Sequence, residues 1–151
     1  MSAIKDKIVK AYAEQLSDEG LKLIKKAFNT ANFKKDKTQN LHDSYGCAVY
    51  YNGKYVYGTK RFLTPRATQP RYNYYTGENE YGVNEINEFL DSYRPTSKGF
   101  VLIIAVAMFY GSILEKGGGR LKRKYRVISG VSSDIEALAK KYGGMVRDIN
   151  M

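Results

Sequence analysis

The stretch Tyr45-Gly46-Cys47-Ala48-Val49-Tyr50-Tyr51-Asn52-Gly53-Lys54-Tyr55-Val56-Tyr57 decides the fold. Two β-prone runs flank Asn52-Gly53. A type I′ turn needs positive φ at both central positions, and asparagine followed by glycine tolerates that best. The pattern predicts an antiparallel hairpin with strands over 45–51 and 54–57.

Working outward toward the N-terminus, Ile4, Ile8, Ala11/Tyr12 and Leu16 recur at helical spacing with lysines between them. That predicts an amphipathic first helix. Ser17-Asp18-Glu19 offers a cap and early acids for a second helix, with Leu21, Ile24, Phe28 and Ala31 as its apolar stripe. Its expected end is near Phe33, before Lys34, Lys35 and Lys37.

Beyond the hairpin, 58–82 has neither helical nor strand periodicity over most of its length. It holds Pro65 and Pro70, the cations Lys60, Arg61, Arg66 and Arg71, and Tyr72, Tyr74, Tyr75 and Tyr81. The expectation is one long functional loop, because structureless stretches of this length are uncommon inside a domain. Val83, Ile86, Leu90 and Tyr93 then predict a third helix stopped by Arg94-Pro95. The segment 78–91 carries Glu78, Glu80, Glu85, Glu88 and Asp91 with no basic residue. The apolar run Phe100 to Phe109 favours a central strand buried on both faces, with a buried helix as the alternative.

Tyr110 to Lys116 reads as a short helical segment closed by Gly117-Gly118-Gly119, and 120–128 as another strand. Ser133 and Glu136 have the spacing of a capping box, Val131, Ile135, Leu138, Ala139 and Tyr142 form one apolar face, and Gly143 supplies the stop. The expected fold is therefore one α+β domain over 1–151. It has N-terminal helices within 2–33, a small antiparallel sheet with the Asn-Gly hairpin, and a C-terminal helix packed on the sheet.

A chain of 151 residues, 43% hydrophobic and 26% charged, reads as one globular domain. A run of ten apolar residues cannot cross a bilayer as a helix, which takes about 20, so no membrane partner is expected. No signal-peptide pattern opens the chain. The net charge of +10 favours nucleic acid, an anionic surface or an acidic protein partner. Most of it sits in residues 1–75, which carry 14 basic and 6 acidic side chains.

Few residues can carry chemistry. The chain has one histidine, His42, and one cysteine, Cys47. An intrachain disulfide, thiolate clusters and histidine-rich metal sites are excluded by that count, and no cofactor is implied. Five residues apart beside a regular strand, His42 and Cys47 point to opposite faces, which argues against a dyad. Glu85 and Glu88 lie at i, i+3 and read as an acidic partner-facing or solvated surface. The glycine run lacks the G-x-x-x-x-G-K-[ST] pattern and follows a helix instead of preceding one, so a phosphate loop is rejected. No catalytic set emerges, and no enzyme activity is expected.

Two features remain. Arg120, Lys122, Arg123, Lys124 and Arg126 form a basic strand in which four cations share one face, about 7 Å apart. Such a row suits a phosphate backbone or protects a sheet edge from aggregation. The other feature is the Tyr/Arg loop, whose Arg66, Arg71, Tyr72, Tyr74 and Tyr75 are residue types that anchor protein interfaces. With Glu85, Glu88 and Asp91 these form the candidate subunit interface. The 120–126 row is a candidate for interface or DNA contact. The acidic 78–91 face of one copy is expected to meet the basic 120–126 strand of the next, and unlike surfaces meeting head to tail close a ring when the rotation allows.

The order of elements resembles the siphophage-type neck, head–tail joining and tail-completion family of tailed bacteriophages. Leu41-His42-Asp43-Ser44 is similar to its Leu-x-Asp-Ser motif ahead of a strand. Phe109 to Gly118 is similar to its Tyr-Ala-x-x-Val-Glu-x-Gly segment, and Ser133 to Tyr142 to its last helix. The 58–82 loop and the acidic helix are elaborations on that pattern. The resemblance implies a virion structural protein, made in the host cytoplasm and assembled as a homo-oligomeric ring. Portal or adaptor ring and tail proteins would be its neighbours, with genomic double-stranded DNA in the lumen. The alternative is a basic nucleic-acid-binding protein using 120–126 and the Tyr/Arg loop.

Overall fold

The computed structural model describes residues 3–31, 39–58, 64–73, 76–107 and 129–146. In chain order the elements are α1 (Ala3–Ala31), α2 (Asn40–Asp43), β1 (Tyr45–Tyr51), β2 (Lys54–Gly58), β3 (Arg71–Asn73), β4 (Glu78–Glu80), α3 (Gly82–Ser92) and β5 (Phe100–Val106). A 3-10 turn (Ser129–Val131) then leads into α4 (Ser132–Lys141). The fold is α+β.

The hairpin forms as the sequence predicts. Asn52 and Gly53 have φ of 51° and 82°, and Tyr51 pairs with Lys54 across the turn. A register shift between Val49 and Tyr50 marks a bulge. β5 pairs antiparallel on the other side of β1, from Tyr45↔Val106 to Tyr51↔Phe100. The strand order is β2-β1-β5, so the middle position belongs to β1. The expectation of a central strand at Phe100 to Phe109 is corrected accordingly. The strand β5 is apolar on both sides because helices cover both faces of the sheet. Only Ile103 in it is fully buried, whereas the first six residues of β1 all are.

Side-chain alternation along β1 divides the core in two. Tyr45 and Val49 face α1 together with Leu102, Ile104 and Val106. Ala48 and Tyr50 face α3 with Ile103, meeting Ile86 and Leu90. Burying each of the large side chains contributes about 1.5–3 kcal/mol. The Tyr50 hydroxyl, sunk in this layer, donates to the Leu90 carbonyl and so ties α3 to the sheet.

The N-terminal half departs from expectation. A single helix of 29 residues replaces the predicted pair, running straight through Ser17-Asp18-Glu19. Ser17 is not a cap: its hydroxyl is buried without a hydrogen-bond partner among the described residues. Gly20 explains why the helix continues. A Cβ there would lie 2.9 Å from the Cys47 sulfur and 3.1 Å from Leu102 Cδ1. Its missing side chain lets the helix backbone settle onto the sheet, a tertiary use of glycine that outweighs its poor helix propensity. The expected end near Phe33 lies outside the described residues.

The helix α4 runs beside α1. Lys26 pairs with Asp134 at 2.9 Å and Gln15 donates to the Tyr142 hydroxyl at 3.1 Å. Val131 is fully buried, and Ile135 packs on the same cluster as Tyr45. The capping box is not made. Ser133 lies inside the helix, Val131 occupies the cap position, and no side chain caps the helix start. The 3-10 turn upstream sets the start instead. At the other end Gly143 has φ 69°, and Gly143 and Gly144 donate to Lys140 and Ala139 carbonyls, closing the helix as predicted.

Among the described residues no helix is long and apolar enough to cross a membrane. The predicted helical segment 110–116, the triple glycine and the strand 120–128 lie outside the described residues.

Candidate functional site

The acidic surface is built by β3, β4 and α3. The predicted 58–82 loop is corrected here: part of it folds as a short antiparallel hairpin, with Arg71 opposite Glu80, Tyr72 opposite Asn79 and Asn73 opposite Glu78. Three-residue strands are too short to show periodicity, so local side-chain bonds define them. Asn73 Nδ2 donates to Glu80 at 2.9 Å, and Gly77, with φ 74°, donates to the Asn73 carbonyl at 2.8 Å. Tyr81 then leads directly into α3.

This route brings carboxylates from two elements together. The Glu85 carboxyl is held above its ordinary range, first by partial burial and then by repulsion from Glu80, Glu88 and Glu78. Glu88 and Asp91 are exposed along the outer side of α3, whose inner side is Ile86 and Leu90. Tyr72 is 46% exposed at the edge of this patch.

The structure therefore divides the predicted interface residues. Arg71, Tyr72, Glu85, Glu88 and Asp91 belong to the β3–β4–α3 surface. Arg66 does not: it sits on the segment tied to α2, beside α1. Tyr74, Tyr75 and the row Arg120, Lys122, Arg123, Lys124 and Arg126 lie outside the described residues.

The second surface is the outer side of α1, on the opposite face of the sheet from α3. Its lysines Lys5, Lys7, Lys10, Lys22, Lys25 and Lys26 are all exposed, with Asp6, Glu14 and Asp18 exposed on the same helix. The helix outruns the core. Its first fully buried residue is Ala13, and Ile4 and Ile8 are 73% and 64% exposed. At about 1.5 Å per residue, the turns ahead of Ala13 extend the helix by roughly 15 Å. Ile4, Ile8, Val9 and Tyr12 join Tyr51 and Phe100 around an apolar groove of about 350 Å³. Sequence reading placed Ile4 and Ile8 on a core-facing stripe. The stripe exists, but the sheet ends before it does.

Between these surfaces lies the junction ahead of β1, where Asp43 and Ser44 are residue types suited to satisfying backbone groups at a loop-to-strand turn. Asn40 and Asp43, one helical turn apart, bind two separate segments, 66–69 and the start of α3. The Asp43 carboxylate accepts from the backbone N–H groups of Arg66, at 2.9 and 3.0 Å, and of Ala67, at 2.7 Å. Asn40 donates to the Gln69 carbonyl at 2.7 Å and accepts from Gly82 N–H at 2.9 Å. Ser44 turns back to the Leu41 carbonyl. His42 Nδ1 lies 2.7 Å from Asp43 Oδ1, and its ring meets Phe28 edge-on. The polar spacing Asn40-x-x-Asp43 just before a strand was the available signal for this anchor.

His42 lines a cavity of about 470 Å³ with Lys25, Phe28, Asn29, Tyr45, Thr64 and Arg66. Cys47 is elsewhere, under Gly20 on α1, and burial pushes its thiol up to about 12. The two residues are kept apart, and a thiol so protonated is a poor nucleophile. Among the described residues no group of three or more histidine, cysteine or acidic side chains could hold a metal ion.

Comparison with known proteins returned no matching family model, no matching curated protein and no matching solved structure.

Proposed function

We propose that this chain is a virion structural protein that assembles as a homo-oligomeric ring at the head–tail junction of a tailed bacteriophage. Copies of itself are its first partners, with portal or adaptor ring and tail proteins above and below, and genomic double-stranded DNA in the channel. The assignment to a phage neck rests on the resemblance carried by Leu41 to Ser44, Phe109 to Gly118 and Ser133 to Tyr142.

One observation carries the assembly part: opposite faces of the sheet present unlike surfaces. One is the carboxylate patch of β4 and α3, with Tyr72 at its edge. The other is the lysine-lined α1 with Ile4 and Ile8 left uncovered. Surfaces of unlike character on opposite sides join head to tail, and such contacts close into rings when the rotation permits. An exposed amphipathic overhang suits seating on a neighbour.

Light scattering at low and high salt, with and without double-stranded DNA, tests the reading. It predicts particles several subunits large that shrink as salt rises, and only weak sequence-independent DNA affinity. A chain that stays monomeric throughout while binding DNA tightly, with a steep salt dependence, would overturn it in favour of a nucleic-acid-binding protein.

A further inference from the structure

We infer that the cavity between α1, α2 and the 64–66 segment is a binding site for a phosphate dianion, free or as the end group of a small phosphomonoester. Two exposed cations from different elements line it, Lys25 on α1 and Arg66 on the segment whose backbone Asp43 holds. Neither has a carboxylate in ion-pair distance among the described residues, in contrast with Lys26, one residue on, which pairs with Asp134. Asp43, the nearest acid, is spoken for: its side chain is 1% exposed, accepts from the Arg66 and Ala67 backbone and lies against His42.

The chemistry of the wall fits a phosphate better than a carboxylate. A guanidinium fork and an ammonium together neutralise a dianion, whereas a monoanion leaves one cation uncompensated. Asn29 and Thr64 add uncharged hydrogen-bonding groups at the same wall. The size, about 470 Å³, is at the small end of ligand sites and suits a phosphate with a compact substituent. Ile24, Phe28 and Tyr45 give that substituent an apolar side to rest on.

The architecture also explains why Arg66 is held where it is. Asp43 fixes the backbone of 66–67 by three charge-assisted contacts, so the anchor uses the Arg66 N–H and leaves its side chain out of the bond. Substituting the side chain leaves the anchored backbone N–H in place. This inference does not require ring assembly: the cavity shares Lys25 with the lysine-bearing side of α1, but no residue with the acidic patch or with Ile4 and Ile8.

The test uses the full chain, with inorganic phosphate and phenyl phosphate as probes and chloride and acetate at matched ionic strength as controls. His42 is the chain's one histidine, so its imidazole resonances report on the cavity directly. Saturable shifts with either phosphate probe and none with acetate are expected, and Arg66→Ala and Lys25→Ala should each weaken binding at least tenfold. Tighter binding of phenyl phosphate identifies a monoester as the ligand, and equal or weaker binding identifies free phosphate. Lack of saturation, equal binding of acetate, or unchanged affinity in both variants would overturn the site. Circular dichroism of each variant, expected to match the parent, separates lost binding from lost fold.

Discussion

The middle of α1 and its N-terminal end continue one apolar stripe, yet only the middle has a sheet beneath it. From Ala13 to Ala27 the helix lies so close to β1 that Gly20 has no room for a side chain. From Ala3 to Ile8 every residue is exposed. The same pattern of residues therefore serves two ends. In the middle it holds the fold together. At the N-terminal end it adds nothing to the core and leaves Ile4 and Ile8 uncovered, the surface proposed above for a neighbouring copy. If the proposed assembly holds, stability and assembly should be separable by substitution along this single helix.

The largest effect is expected outside the helix, at the anchor that orders everything around it. Asp43→Ala leaves two backbone N–H groups without their carboxylate and should cost about 3 kcal/mol in chemical denaturation. A cost under 1 kcal/mol would show that the 64–69 segment is not held as described. Next comes the middle of α1. Gly20→Val forces a branched side chain against Cys47 and Leu102 and should cost about 2 kcal/mol. If the variant is as stable as the parent, the close approach of helix and sheet is wrong.

Smaller effects on stability are predicted at the surfaces. Glu85 has a raised carboxyl pKa in the folded chain, so its ionisation opposes folding. The linkage is most favourable below the unfolded value and is lost as pH rises through the folded one. Glu85→Gln should therefore stabilise the isolated chain at neutral pH, by less than about 0.5 kcal/mol, and the gain should vanish in acid. A destabilised variant at pH 7 would contradict the carboxylate cluster. At the N-terminal end, Ile4→Ser with Ile8→Ser should change unfolding by less than about 0.5 kcal/mol while reducing assembly. A loss of stability comparable to Gly20→Val would erase the distinction between the two ends of α1.

These contrasts also show what the sequence could and could not reveal. The hairpin was legible because Asn52-Gly53 encodes its own backbone conformation. The helix α3 was legible because Ile86 and Leu90 keep helical spacing and Pro95 stops it. Signals that depend on neighbours misled. Ser17-Asp18-Glu19 reads as a helix start, but its role is set by Cys47, nearly thirty residues away. Ser133 and Glu136 have capping-box spacing, but the turn through Val131 begins the helix first. The apolar Phe100 to Val106 looks central, when it is the two helix layers that bury it. For the candidate site, the acidic composition of 78–91 was visible, whereas its convergence through β3 and β4 was not, since Asn73 and Gly77 shape that hairpin locally. The cavity was invisible because Lys25, His42 and Arg66 are far apart in sequence and share its wall only once the chain folds.

In the proposed ring, unlike faces of neighbouring copies hold the subunits together. Sedimentation of the parent and of Glu85→Lys with Glu88→Lys, at 50 and 500 mM salt over a range of concentrations, tests it most directly. The account predicts concentration-dependent oligomers of the parent at low salt that dissociate at high salt, where the Debye length shortens from about 14 Å to about 4 Å. The charge-reversed chain should need at least tenfold higher concentration to associate, because like charges then face each other. Equal association of both chains at both salt concentrations would contradict it.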